Sequence, residues 1–248
     1  MIQPAENPRA AATRSAAIDA RAQERVQLIV ALVVFLVSLA TFIVLTIEVT
    51  HRGSLTLIDD ALAADFHSRA TATGVVIFGF VTDLGRPATV GFVGLVGIAM
   101  LAARRDLVVA SGWAIALAGG AVIDEAVKHV IARPRPVFAA EHLTHLSYSF
   151  PSGHSIGSII GYGVLAYVIL LRVQRWDLQV LVVVLTMLLV LAVGFSRLYL
   201  DVHYFSDVLG GYAAGACWLC ISVTATDVAR RRVRRRRELS VASTASPR

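Results

Sequence analysis

The chain has 248 residues, 56% of them hydrophobic and 16% charged, and its mean hydropathy is +0.70. That balance excludes an ordinary water-soluble domain, in which charged residues make up about 25%. Twenty-three basic residues against seventeen acidic ones give a net charge of +6. Arginine carries nearly all of the positive charge, because the chain contains one lysine, Lys128. Cys217 and Cys220 fall inside an apolar run, so they read as buried small hydrophobes and imply no disulfide framework.

A helix that crosses a hydrocarbon core needs roughly 17 to 25 mostly apolar residues. Six charge-free stretches meet that length: 26–47, 87–103, 107–123, 155–171, 178–196 and 208–226. The expected fold is therefore all-α and polytopic, with six transmembrane helices in one bundle over residues 26–226. Residues 1–25 read as a flexible cytoplasmic segment and 227–248 as an Arg-rich cytoplasmic tail. The first stretch is too long for a signal-peptide apolar region and lacks a small-residue cleavage site, so it is expected to stay as an anchor. Between the first two spans, LTLIDDALAADFHSRA predicts an amphipathic helix at the membrane surface, and 75–81 is apolar but too short to cross. Gly157 with Gly161, and Gly211 with Gly215, have the four-residue spacing that lets transmembrane backbones approach closely.

Orientation follows from the arginines, since cytoplasmic connections retain positive charge. Arg9, Arg14, Arg21 and Arg25 precede the first span, Arg104 and Arg105 follow the second, Arg172 and Arg175 follow the fourth, and the tail runs from Arg230. These segments are expected inside, which places both termini in the cytoplasm and the connections 48–86, 124–154 and 197–207 outside. The last two of those nevertheless hold Lys128, Arg133, Arg135 and Arg197, each near a helix end. Cations gathered on the outer face point to an anion there.

Three segments carry the chemistry. In KHVIARPRP, Pro134 and Pro136 push Arg133 and Arg135 out of helical conformation, so a helix should end near Ala132 with Lys128 about one turn below. A lysine point charge beside an arginine fork suits the oxygens of a phosphate, and Asp124 could pair with Lys128 in a structural role. In FPSGHS, Pro151, Ser152 and Gly153 mark a helix start, where unpaired amides and the helix dipole favour an anion. His154 beside it could deliver a proton to a departing oxygen. In SRLYLDVHYFSD, Arg197 adds a cation, and His203 and Asp207 are four apart, on one face of an expected helix. A carboxylate that fixes one imidazole nitrogen leaves the other free to act as base or nucleophile.

Together these segments resemble the type 2 phosphatidic acid phosphatase (PAP2) superfamily. Lys128 with Arg135-Pro136 matches its first motif, Pro151-Ser152-Gly153-His154 its second, and Ser196-Arg197, His203 and Asp207 its third, in the family's order; Arg133 is the extra arginine that many members carry. The resemblance implies an integral membrane lipid phosphatase of bacterial type. In it His203 is the nucleophile, Asp207 holds its imidazole, and His154 protonates the leaving oxygen and then activates water. Lys128, Arg135 and Arg197, with the Ser152 hydroxyl and the Gly153 amide, hold the phosphate. Asp201 lies inside the third motif without an assigned role.

The matched motifs contribute the carboxylate of Asp207 alone, where two-metal phosphatases gather several; no metal and no other cofactor is expected. The expected partners are a lipid phosphate or diphosphate substrate and membrane lipids, with no nucleic acid, in a bacterial inner membrane. Undecaprenyl diphosphate and other isoprenoid diphosphates stand first among the substrates, ahead of phosphatidate and phosphatidylglycerophosphate. Glu141, His142 and His145 read as outer-loop residues. The competing readings are a phosphotransferase that passes the phosphoryl group to a lipid or sugar hydroxyl, and a non-catalytic transporter or scaffold, which the intact histidines and motif cations disfavour.

Overall fold

The computed structural model describes residues 8–141 and 147–245, with side chains described at 22, 24–139 and 147–236. The side chains of Glu141, His142 and His145 lie outside that set, and so does the reading made of them.

Among the described residues the secondary structure is helical throughout: α1 (Pro8–Thr50), α2 (Ser54–Arg69), α3 (Ala72–Asp83), α4 (Pro87–Ala103), α5 (Leu107–Ile131), a 3-10 turn (Val137–Glu141), α6 (Gly153–Leu170), α7 (Trp176–Tyr199) and α8 (Phe205–Ala245). Six stretches are long and apolar enough to cross a membrane: Glu24–Thr50, Ala72–Ala103, Leu107–Ile131, Gly153–Leu170, Trp176–Tyr199 and Phe205–Arg236. The protein is thus an all-α, multi-pass membrane protein. Several hydroxyls on α1 are satisfied locally, as hydrocarbon requires: those of Thr41, Thr46 and Thr50 donate to the carbonyls four residues earlier at 2.9, 2.8 and 2.8 Å.

Several boundaries differ from the sequence reading. α1 begins at Pro8, inside the segment read as flexible, because a proline is tolerated in a first turn and the Ala, Arg, Gln and Glu that follow are good helix formers. α8 likewise runs on through the tail to Ala245. The end of α5 agrees with the reading from Pro134 and Pro136: the helix runs to Ile131, with Asp124 and Lys128 both on it, and Ala132 in left-handed conformation (φ 49°) closes it. The segment 75–81 is part of α3, which with α4 forms one apolar stretch broken at 84–86. Pro87 at the start of α4 sets that break.

α4, α5, α6 and α8 form the centre, around Val109, Trp113, Ala116, Ile156, Ile160 and Val164. α1 lies along α8, and α7 packs on α6 and α3. Gly211 and Gly215 face α6, where an added methyl would meet the Ser152 carbonyl, Ser155 and Ile159. The spacing therefore marks packing within the bundle. Outward faces of α1 and α7 leave Val30, Leu36, Leu185 and Leu188 exposed, as contact with lipid tails requires. α2 departs from a simple surface helix: Asp59 is fully buried while Leu57 and Ile58 are 72% and 52% exposed. Asp59 and His67 face the protein, while Asp60, Asp65 and Arg69 of the same helix are exposed.

Candidate active site

The C-terminal ends of α5 and α7 and the N-terminal ends of α6 and α8 meet at one end of the bundle, with α2 and the α3–α4 break packed around them. Everything singled out in the three segments lies there.

Lys128, 9% exposed, donates to Asp124 Oδ2 at 2.7 Å, the pairing expected from their spacing. An ammonium has three donors, so two remain. Gly153 opens α6 directly against this pair: a Cβ at 153 would sit 2.9 Å from Lys128 Nζ and 2.5 Å from an Asp124 oxygen. Only glycine lets the helix start come this close to the cation. The Ser152 oxygen caps the helix by accepting from the Ser155 amide at 3.5 Å. The amides of Gly153 and His154 fall in the first turn, where the helix supplies no acceptor. The His154 ring makes no hydrogen bond to another side chain or to the backbone among the described residues. Its ring lies beside Gly85 in the α3–α4 break, where a Cβ would come within 3.2 Å of it.

Arg197 is 6% exposed and donates to Thr82 Oγ1 of α3 at 2.7 Å, while its Nε has no partner. A buried guanidinium with an idle donor is set for an acceptor that arrives from outside. Arg135 is tied to the loop after the 3-10 turn, donating from Nε to the Ser147 carbonyl at 2.8 Å and from a terminal nitrogen to the Val202 carbonyl at 2.5 Å. Burial lowers its pKa from the ordinary value.

That same terminal nitrogen of Arg135 is 3.1 Å from His203 Nε2. Arginine can only donate, so Nε2 accepts and a neutral His203 carries its proton on Nδ1. Nδ1 in turn faces Asp207 Oδ2 at 3.5 Å, longer than a formed hydrogen bond. Burial, then Arg135, Arg197 and Lys128, push the His203 pKa well below 6.5. The pair is not on one helix face, as the spacing suggested. His203 lies in the turn before α8, and Asp207 is in the first helical turn, reaching back to accept from the Tyr204 amide at 2.8 Å in the manner of a capping box.

Asp207 is fully buried and heavily engaged. It accepts from Ser149 Oγ through a short bond and from Arg133 at 2.6 Å. Arg133 also donates to Ser206 Oγ at 2.7 Å and to Asp59 Oδ2 at 2.8 Å, and lies over the Tyr204 ring at 4.1 Å. Burial alone would lower the Arg133 pKa, but Asp207 and Asp59 outweigh it and hold it above the ordinary value. Arg133 is therefore no open anion-binding cation. It is clamped between two carboxylates, and Lys128, Arg135 and Arg197 remain for an anion.

Sequence reasoning missed Asp59, Thr82, Gly85, Ser149 and Ser206. Asp59 stood beside Asp60 in a helix expected at the membrane surface, where nothing local marks one of the two carboxylates for burial. Asp201, which had no role, is buried with φ 53° and faces His67 Nδ1 of α2 at 3.1 Å; the His67 ring stacks on Phe138 at 3.8 Å. Among the described residues no three His, Cys, Asp or Glu side chains form a metal-binding group.

Comparison with known proteins gives one family: the model of the PAP2 superfamily matches residues 107–231. Phosphatidylglycerophosphatase B of Bacillus subtilis (strain 168) is 38% identical over 96 residues, covering 38% of this chain and 46% of that protein. The chain thus spans about half the length of this curated relative. The crystal structure of a transmembrane PAP2-type phosphatidylglycerolphosphate phosphatase from Bacillus subtilis superposes with a TM-score of 0.69 at 25% identity, covering 78% of this chain and 95% of that one.

Proposed function

From its membership of the PAP2 superfamily, we propose that this chain is a membrane phosphatase that removes the terminal phosphate of a lipid phosphate without a metal ion. The observation that carries this reading is the convergence of three buried or half-buried cations, Lys128 and Arg197 with unused donors and Arg135 against His203 Nε2, on the turn that presents His203 and the helix start that presents His154.

The proposed reaction runs in two displacements. The substrate phosphate enters between Lys128, Arg197 and the Gly153 and His154 amides, and draws Arg135 away from His203 Nε2. The freed lone pair attacks phosphorus in line with the leaving oxygen. The P–O bond to the lipid breaks, and His154 gives its proton to the departing oxygen. Asp207 stabilises the positive charge that grows on the imidazole, and the cations meet the negative charge spread over the equatorial oxygens. Neutral His154 then takes a proton from water, whose oxygen attacks the phosphohistidine; the P–N bond breaks and inorganic phosphate leaves. A proton relay of this kind contributes on the order of 10²–10⁴ in rate.

The activity of the Bacillus subtilis proteins this chain resembles moves the first-choice substrate from an isoprenoid diphosphate to phosphatidylglycerophosphate. A phosphate-release panel on the purified protein tests this: the expected order places phosphatidylglycerophosphate above phosphatidate and undecaprenyl diphosphate. Activity is expected to persist in chelator and to be blocked by orthovanadate, which can take the trigonal bipyramidal shape of the transition state on a histidine nitrogen. Turnover that disappears with chelator removes the metal-free reading.

The depressed pKa of His203 sets a pH dependence. Its cationic form is disfavoured, so the neutral nucleophile persists as pH falls, and the acid limb of kcat/KM that it governs lies below 6.5. The check is a kcat/KM profile on an activated aryl phosphate that is already dianionic in that range; a nucleophile limb at or above 6.5 contradicts the proposed environment.

The arginine distribution supports cytoplasmic termini and a site open to the outer leaflet. Reporter fusions after Arg9 and Thr226 are expected to report the cytoplasm, and the cysteine of His142→Cys is expected to react with an impermeant label from outside. Labelling only from within reverses the topology.

A further inference from the structure

At the end of the bundle opposite His203, a middle stretch of α1, the ends of α4 and α6, the starts of α5 and α7 and the later turns of α8 line a cleft of about 1520 Å³. It shares no residue with the candidate active site. Six arginines line it against three carboxylates. Arg231 is held by Glu24 at 2.9 Å and Asp227 at 2.7 Å, and Arg172 meets Asp106 only at 3.8 Å. Arg104 and Arg105, side by side in the α4–α5 turn, have no acidic partner among the described residues. The positive charge at the mouth is thus in excess and partly unclaimed.

Below this mouth the walls are apolar. Leu28 and Ala31 of α1 face the cleft from one side and Val180, Val183 and Val184 of α7 from the other. Leu28, Val183 and Val184 are 46%, 43% and 44% exposed. From Trp176 to Val184 the wall descends eight residues, about 12 Å of helix. Trp176, 76% exposed at the rim, stands where aromatic side chains meet lipid headgroups. A free anion would use the mouth and leave the walls bare. The cleft exceeds the roughly 300–1,000 Å³ of an ordinary small-molecule site, and its charged mouth over an apolar shaft has the division of a phospholipid.

We propose that this cleft binds one anionic glycerophospholipid of the leaflet opposite the active site, with its phosphate held by Arg104, Arg105 and Arg172 and an acyl chain along Leu28, Ala31, Val180 and Val184. The proposal is independent of the hydrolase reading, since it concerns binding alone at the other end of the bundle.

Native mass spectrometry of the purified full-length protein, titrated with phosphatidylglycerol, phosphatidylcholine or inorganic phosphate, tests it. One phosphatidylglycerol is expected to be retained per chain, with at least tenfold weaker retention of phosphatidylcholine and no displacement by inorganic phosphate. The double variant Arg104→Ala/Arg105→Ala removes the mouth charge, and Val184→Trp fills the shaft. Each is expected to weaken phosphatidylglycerol retention at least tenfold while the lipid-free thermal midpoint stays at the wild-type value. If the double variant does not fold, Val184→Trp decides. Wild-type retention in a folded variant, equal retention of phosphatidylcholine, or displacement by inorganic phosphate overturns the proposal.

Discussion

His203→Ala forms no covalent phosphoenzyme and loses turnover entirely, because it removes the nitrogen proposed to attack phosphorus. His154→Ala behaves differently. Nε2 of His203 remains, held by Arg135 at 3.1 Å and backed by Asp207 at 3.5 Å, so the first P–N bond can still form when the leaving group needs no proton. Water activation is lost, and an acid-labile, base-stable phosphohistidine should accumulate from an activated aryl phosphate while turnover falls by about 10²–10⁴. Asp207→Asn keeps part of its activity by orienting the ring, but it also weakens the clamp on Arg133. Rapid quenching with labelled substrate, followed by acid-free gel detection, separates the variants. Label on His203→Ala would show that another group is the nucleophile.

Asp59→Ala is expected to be as damaging as a change within the motifs, although it lies about 70 residues before the first of them. Asp59 accepts from Arg133 at 2.8 Å and from the Ser206 amide at 2.9 Å, and takes a further bond from the Ser206 hydroxyl. Its removal leaves Arg133, which also holds Asp207, with one carboxylate where two had been. Breaking one partner of a buried ion pair costs about 3–5 kcal/mol. The expected outcome is a thermal midpoint lowered by many degrees and a drop in kcat that exceeds the change in KM, since Asp207 and the start of α8 lose their anchor. Asp59→Asn, which keeps the shape and an acceptor for the Ser206 amide, should recover part of the stability. A wild-type midpoint in Asp59→Ala would show that the clamp is not structural. Arg133→Lys is a companion test, because an ammonium cannot bridge Asp59 and Asp207 with the planar fork.

The six spans were legible in the sequence because hydrocarbon demands long apolar runs with internally bonded backbones, a constraint written residue by residue. The ends of α5 and α6 were legible for a similar reason: Pro134, Pro136 and Ser152-Gly153 act on their own neighbours. Lys128, Arg135, His154, Arg197, His203 and Asp207 stood out because cations and imidazoles are conspicuous beside apolar spans. Tertiary structure decided how they are shared out. Nothing local distinguishes Arg133 from Arg135, yet packing turns the first onto Asp59 and Asp207 and leaves the second against His203. Nor does spacing reveal that His203 lies in the turn before α8, since a four-residue interval fits a helix face and a capped helix start equally well. Thr82 and Gly85 meet Arg197 and His154 only because α3 and α4 break beside α6 and α7, and Asp59 enters the site only because α2 folds back onto α8. Side-chain pattern within one element determined where each helix runs; contacts between elements distant in sequence determined which charges are neutralised within the protein and which remain for a phosphate.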